Sequence, residues 1–457
     1  MLRLKEIVKA VNGKLFFSGA PQLIIRTVSI DSRTVKSKEL FIAIKGNRLN
    51  GHNFISEAIR KGAKVVVGSV NCPPYIDKRE IAYIKVANTR HALADLARFY
   101  RKRFIIPVVA ITGSNGKTTT KDMLAWILSS QAKVLRNPGT QNNDIGVPLT
   151  LLRLNTTHNF AVLELGTNHF GEISHLVNIV QPNLGVITNI GPAHLEHLRD
   201  LSGVYKEKIS LLKNLSAPSI GILNADEPRF RRIKNNKQTF IITYGIKNKC
   251  DFQARAIKLT SKRIIEFKVN SNYKQPMRLN TIGYANIYNA LAAITVARLL
   301  GWNFASISQR LEAFVFPPGR MQLIRLNGIP FIDDTYNANP TSLSEALGVF
   351  GGVKVKGRRI LVMGDMLELG QSSERFHRQA GIQIAHTCDI FISVGRLAQI
   401  AADWAVRLGL NKDCVFSCQD SQRAGNLLFK ALKPDCRDLI LVKGSRLMNM
   451  EEVLKQR

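Results

Sequence analysis

An apolar run, Val108, Val109, Ala110 and Ile111, leads into Thr112, Gly113, Ser114, Asn115, Gly116, Lys117, Thr118 and Thr119. A strand that ends in a glycine loop and then a helix makes a cradle for phosphate. The two glycines let successive N–H groups turn inward, and the positive end of the helix faces the same point. In such a loop Lys117 meets the β- and γ-phosphates of a nucleotide, and the Thr118 hydroxyl sits on Mg²⁺. The usual pattern also asks for glycine at position 111, where this chain has isoleucine, so the loop departs from the standard P-loop.

Other polar residues follow apolar strands, at the carboxyl ends where open α/β sheets bind ligands. Glu164 closes Ala161, Val162 and Leu163, and His194 follows the run 185–189 after a short turn. With Thr118 they could complete a Mg²⁺ shell, for which a carboxylate is well suited and a histidine less usual. His194 and His197 also form an H-x-x-H pair, a spacing too common to indicate zinc by itself.

The elements that must position these groups fall into three α/β modules, as a length of 457 residues requires. In residues 1–104 an opening helix, marked by Leu4, Ile7, Val8 and Val11, stops at Gly13. Strands at 27–31, 40–44, 64–67 and 81–86 follow, with helices at 54–61 and 91–103. Residues 105–315 show longer β-α alternation, with strands at 105–111, 160–165, 184–189, 219–223 and 238–243, which predicts a parallel sheet covered on both faces. The polar, β-rich stretch 251–279 reads as an insertion, and 288–300 as a further helix. Phe316, Pro317, Pro318 and Gly319 mark a linker. In residues 316–457, strands at 330–333, 359–363, 390–394 and 439–442 alternate with helices, giving a Rossmann-like module.

The formal net charge of +32 invites a nucleic-acid reading. The densest clusters, however, are Arg101 to Arg103, Arg231 to Lys237 and 354–359, which lie in three different modules without interleaved aromatics. Nucleic-acid binding is therefore disfavoured, and the charge is read as solvated surface that also draws in anionic substrates. No run approaches the length of a membrane span, and Arg3, Lys5, Glu6 and Lys9 interrupt the first helix, so a soluble chain without a signal peptide is expected. Six scattered cysteines suit free thiols in a reducing cytoplasm.

Eight segments together carry a resemblance: 113–119 (GSNGKTT), 142–150 (NNDIGVPLT), 164–169 (ELGTNH), 189–194 (NIGPAH), 318–322 (PGRMQ), 333–340 (DDTYNANP), 364–370 (GDMLELG) and 443–446 (KGSR). They span all three modules and resemble the Mur ligase family, with 333–340 and 364–370 the most specific. The resemblance implies a cytoplasmic, monomeric enzyme of peptidoglycan precursor synthesis. Its cofactors would be ATP and Mg²⁺, and it would add D-alanyl-D-alanine to UDP-N-acetylmuramoyl-tripeptide through an acyl phosphate. It further implies that Lys117, His194 and Lys208 are catalytic, and that Thr118, Glu164, His194 and Lys208 as its carbamate hold metal. ATP would be held by the loop 113–119 with Asn286, Asn289, Arg320 and Asp334. Ser29, Asp31, Ser32, Arg33, Lys45, Gly46, Asn47 and His52 would bind the uridine diphosphate, and Asn337, Asn339, Lys443, Ser445 and Arg446 the dipeptide.

Four positions depart from the family pattern. Ala285 stands where histidine is common, Ser210 replaces an acidic residue two positions after Lys208, and Asn50 and Asn53 replace aspartates. Alternatives are another Mur ligase, a folylpolyglutamate-type synthetase, or a basic ATP-dependent nucleic-acid binder. The 333–340 motif argues against the first two.

Overall fold

The computed structural model describes residues 1–18, 22–46, 48–76, 80–261 and 263–455. Three large sheets and one two-stranded pair organise them. The first orders its strands as Lys14–Ser18, Ala82–Lys85, Val65–Gly68, Leu40–Ile42 and Val28–Ser29. All neighbours are parallel except Lys14–Ser18, an antiparallel edge absent from the sequence reading. The closing helix, Thr89–Arg101, begins where the Asn88 carboxamide accepts from the N–H groups of Arg90 and His91, a cap that places its start two residues earlier than periodicity suggested.

The central sheet has nine strands, in the order Met277–Leu279, Ile265–Val269, Phe252–Leu259, Thr239–Gly245, Ser219–Asn224, Leu184–Ile187, Val108–Thr112, Phe160–Glu164 and Val134–Arg136. The strand that feeds the glycine loop lies inside this sheet, so both its faces are covered and every residue is buried. Val109 and Ile111 pack on one side with the helices Lys117–Leu128 and Ala285–Leu299, while Val108 and Ala110 pack on the other with Glu172–Val180 and Leu201–Lys213. That two-sided burial is why the strand reads as a continuous apolar run.

Three expectations need correction. The strand begins at Val108 rather than 105, because Pro107 lacks the N–H a ladder needs and Ile105 projects fully into solvent. Residues 251–279 do not stand apart: their strands extend the central sheet as an antiparallel flank, making it mixed. The helix expected at 288–300 starts a turn earlier, at Ala285, and so carries Asn286 as well as Asn289.

The third sheet runs Gln322–Leu326, Ile329–Asp334, Leu439–Lys443, Arg359–Gly364, Ile390–Val394 and Val415–Cys418, all parallel except the first hairpin. The carboxyl end of Ile329–Asp334 carries the Asp333 and Asp334 pair, and the neighbouring Leu439–Lys443 ends on Lys443. The N-terminal unit is tied to the central one by Arg90 on Asp144 (2.8 Å), Tyr100 Oη on the Leu154 carbonyl (2.8 Å) and Arg101 Nε on the Val180 carbonyl (3.1 Å).

Candidate active site

Both loop glycines are held where no side chain fits. Gly113 has φ +146°, and a Cβ there would stand 1.9 Å from Thr188 Oγ1. Gly116 has φ +80°, and its Cβ would stand 2.1 Å from Asn289 Oδ1. The loop is strapped to the next strand's exit. Ser114 Oγ donates to the Gly191 carbonyl (2.9 Å) and accepts from its N–H (2.8 Å), and the Asn115 N–H donates to Asn189 Oδ1 (2.9 Å). Lys117 Nζ folds back onto the Gly113 and Ser114 carbonyls (2.9 and 3.3 Å). Burial lowers its pKa, with Glu164 opposing and Arg320 adding to the shift.

One helical turn on, three chain regions meet at a single hydroxyl. Thr118 Oγ1 donates to Glu164 Oε2 (2.7 Å) and accepts from Arg320 Nη2 (3.2 Å), so the C-terminal region reaches the loop directly. Glu164 is buried, and its other oxygen accepts from Asn142 Nδ2 (2.7 Å). Lys121 Nζ, fully buried on the Asn137 and Gly139 carbonyls, lies 3.9 Å from Glu164. The sequence reading assigned no role to Asn142 or Lys121, although Lys121 sits one turn beyond Lys117 on the same helix face. Among the described residues no three His, Cys, Asp or Glu side chains cluster as a metal site.

His194 does reach this neighbourhood, in the left-handed region (φ +54°) at the head of the turn Leu195–Leu198. Its Nδ1 lies 2.6 Å from Glu368 Oε2 of the C-terminal unit, and His194 holds the Glu368 carboxyl below its usual range. Glu368 falls inside the 364–370 motif, and only the fold shows its pairing.

Lys208 is 1 % exposed on the helix Leu201–Lys213 and makes no hydrogen bond or ion pair among the described residues. Burial, then the charge of Lys117, lowers its pKa to about 7, with Glu207 opposing. Glu207 itself accepts from the Gly171 and Ile173 N–H groups (both 2.7 Å), so it caps the neighbouring helix Glu172–Val180 instead of pairing with Lys208. Ser210 Oγ turns onto the Glu207 carbonyl within its own helix.

The loop, Glu164, His194 and Arg320 border a cavity of about 980 Å³ between the central and C-terminal units, and Lys208 is not among its lining residues. Residues 114–119, Glu164, His194, Asn286, Asn289, Arg320, Asp334, Asn337, Asn339, Lys443, Ser445 and Arg446 line it. Asn289 Nδ2 donates to Asn286 Oδ1 (3.0 Å), and Asn286 Nδ2 to Thr281 Oγ1 (3.1 Å). The Arg320 guanidinium lies 3.9 Å over the Tyr336 ring, which fixes its approach to Thr118. Lys443, 2 % exposed, forms a short ion pair with Asp334 and donates to the Asn337 carbonyl (3.0 Å). Ser445 Oγ accepts from the Leu367 N–H (2.8 Å), and Asn337 Oδ1 from the Arg446 N–H (3.2 Å). Glu345, unmarked by any motif, also lines the cavity. Desolvation, with Asp334 adding and Lys443 opposing, raises its carboxyl to about 7.

The expected uridine-diphosphate residues that are described lie elsewhere, and none of them lines this cavity. Ser29 Oγ donates to the Asp31 carbonyl (3.0 Å) and accepts from the Asp31 N–H (3.1 Å), and exposed Arg33 pairs with the Asp31 carboxylate (2.8 Å), holding it down at about 2. Ser32 points inward to Glu57 (2.7 Å). Lys45 and Asn50 bridge a tight turn closed by Gly46 N–H on the Leu49 carbonyl (2.9 Å), and Asn47 lies outside the described residues. His52 is held between Asn50 Oδ1 (2.8 Å) and the Ser69 N–H (2.9 Å), so Asn50 supplies the acceptor an aspartate would.

Three family models match in series: Mur ligase family, catalytic domain, over 24–101; Mur ligase middle domain over 111–297; and Mur ligase, glutamate ligase domain, over 319–446. The UDP-N-acetylmuramoyl-tripeptide--D-alanyl-D-alanine ligase of Bacillus subtilis is 33 % identical, covering 99 % of this chain and 97 % of that one. Its Escherichia coli counterpart is 35 % identical over the same shares. A crystal structure of MurF from Acinetobacter baumannii superposes with a TM-score of 0.89 at 33 % identity, covering 99 % and 98 % of the two chains. MurF from Thermotoga maritima in complex with ADP gives 0.83 at 27 % identity, covering 95 % and 97 %. The chain belongs to the Mur ligase family and is MurF-like.

Proposed function

We propose that the cavity between the central and C-terminal units joins D-alanyl-D-alanine to UDP-N-acetylmuramoyl-tripeptide at the expense of ATP. The chain is an ATP-dependent amide ligase of peptidoglycan synthesis. The observation that carries the site assignment is the meeting of Thr118, Glu164 and Arg320 at one hydroxyl beside the glycine loop. A hard carboxylate, a hydroxyl and a guanidinium around an anion cradle suit a nucleotide's terminal phosphate with its cation.

In this reading the loop N–H groups and Lys117 hold the phosphates, Arg320 reaches the terminal one, and Asn286, Asn289 and Asp334 orient the nucleoside. The Thr118 hydroxyl and Glu164 carboxylate are the oxygen donors Mg²⁺ takes, and His194 and carbamylated Lys208 would complete the metal sites. Bound there, Mg²⁺ would offset the charge that gathers on the transferring phosphoryl group. The terminal carboxylate of the tripeptide attacks the γ-phosphorus and ADP leaves. The free amine of the dipeptide then attacks the acyl carbon, and phosphate and a proton leave as the amide forms. Asn337, Asn339, Lys443, Ser445 and Arg446 face the side from which that amine arrives, and walls from two units keep water from the acyl phosphate.

The uridine-diphosphate end lies with Ser29, Asp31, Ser32, Arg33, Lys45, Gly46, Asn47 and His52. The domain limits at 104/105 and 315/316, a P-loop-type central domain, a Rossmann-like C-terminal one and a cytoplasmic monomer belong to the same reading. No helix among the described residues is long and apolar enough to cross a membrane. Mass spectrometry of the product tests the substrate choice. Incubation with ATP, the muramoyl tripeptide and D-alanyl-D-alanine should add the mass of the dipeptide less water, while transfer of a single amino acid to a shorter muramoyl peptide would assign the chain to another branch.

A further inference from the structure

We propose that the corner where the first strand pair meets the end of the helix Thr89–Arg101 docks on an anionic lipid bilayer. Leu2–Arg3 pairs antiparallel with Ile24–Ile25, placing Arg3 opposite Ile24. Strand alternation buries Leu2 and Ile25 and turns Arg3 and Ile24 outward, leaving Ile24 47 % exposed. Lys5 and Lys9 stand one turn apart on the exposed side of the next helix. Arg103 closes the corner, donating to the Met1 carbonyl (2.9 Å), pairing with Glu6 (2.7 Å) and lying over the Phe99 ring (4.9 Å). Two residues on, Ile105 is fully exposed, between exposed Lys102 and the start of the central sheet.

The patch thus combines aliphatic tips, at Met1, Ile24 and Ile105, with Arg3, Lys5, Lys9, Arg98, Lys102 and Arg103. Among the described residues of segments 1–10 and 89–105 the carboxylates are Glu6, already paired with Arg103, and Asp95. The adjoining central segments, 145–163 and 173–183, contain no acidic residue and add exposed Arg153. Singly exposed isoleucines need no explanation, but aliphatic tips on segments rich in exposed cations match a surface that is negative outside and apolar a few ångströms in. A nucleic acid would reward stacking aromatics rather than isoleucine tips. Among the described residues none before Ser114 lines the cavity of the proposed reaction, so docking at this corner leaves it open.

The test is co-sedimentation of the full chain with phosphatidylcholine vesicles, with and without phosphatidylglycerol, at about 0.1 M salt. The wild type should pellet only with the phosphatidylglycerol vesicles. The pairs Arg98→Glu with Lys102→Glu, and Ile24→Ser with Ile105→Ser, should each weaken that partition about tenfold. Ligase turnover without vesicles should not change, which separates this surface from the reaction site. No pelleting, equal pelleting on neutral vesicles, or unchanged pelleting of either pair would overturn the proposal. Displacement by duplex DNA at equal phosphate would reassign the corner to nucleic acid.

Discussion

The side chains of Asn115 and Asn339 exchange two hydrogen bonds, Asn339 Nδ2 to Asn115 Oδ1 at 2.6 Å and Asn115 Nδ2 to Asn339 Oδ1 at 3.3 Å. One sits in the phosphate loop of the central unit. The other caps the helix Pro340–Gly352 of the C-terminal unit, its Oδ1 also accepting from the Ser342 N–H (2.9 Å). The pair joins the two walls of the cavity at the point where phosphoryl transfer is proposed.

Substitution separates its two duties. Asn115→Ala should lower kcat/KM for ATP roughly fivefold, the worth of about 1 kcal/mol, with little loss of stability. Asn339→Ala should do the same and also cost about 1 kcal/mol of stability through the lost helix cap. Steady-state kinetics beside denaturant unfolding distinguishes them. Equal destabilisation by both, with unchanged kinetics, would make the contact a purely structural one.

Lys117→Ala should slow the chemical step by about 10²–10³-fold while the protein stays folded, because it removes a positive charge aimed at the transferring group. Single-turnover phosphate release from ATP measures this directly. A folded variant with near-normal turnover would show that the Lys117 ammonium serves only its own loop carbonyls.

Lys208 gives a pH signature. Its folded pKa of about 7 lies below the ordinary lysine value, so the protonated form is disfavoured in the native state. The resulting destabilisation is fully present below pH 7 and fades as pH rises from there to the unfolded lysine range. In metal-free, CO₂-free buffer, Lys208→Met should therefore stabilise the protein most at pH 6 to 7, with the advantage shrinking above it. A pH-independent difference would place Lys208 in an unperturbed setting. Under assay conditions Lys208→Ala should lose activity by about 10²-fold or more, and short carboxylates should restore part of it if a carbamate supplies the missing anion.

The net charge of +32 should act on capture rather than turnover. Raising salt should lower kcat/KM for the anionic muramoyl nucleotide while kcat changes little. A fall in kcat with unchanged kcat/KM would place the ionic effect on the closed complex.

Much of this site was legible because the loop, the acidic strand end at Glu164 and the 333–340 motif are local signals. Lys208 was singled out only through the family resemblance; the structure places it on the buried helical face with Val204 and Leu211, whereas Lys206 points to solvent. The pairing of His194 with Glu368, of Arg320 with Thr118 and of Asn115 with Asn339 was not legible. Each joins segments that only the docking of two sheets brings together. Edge strands such as Val134–Arg136 and Val415–Cys418 escaped because they are short and half-exposed, so their patterns lack the apolar run of an interior strand. The extra flank of the central sheet was misread as an insertion because its strands alternate polar and apolar, as one-sided antiparallel strands do.

The central claim is tested most directly by following phosphate release from ATP while each substrate is omitted in turn. The purified chain with Mg²⁺, UDP-N-acetylmuramoyl-tripeptide and D-alanyl-D-alanine should release one phosphate for each amide formed, and release should fall to background when any one of them is left out. Equal release without the dipeptide would contradict the assignment of this cavity to amide ligation.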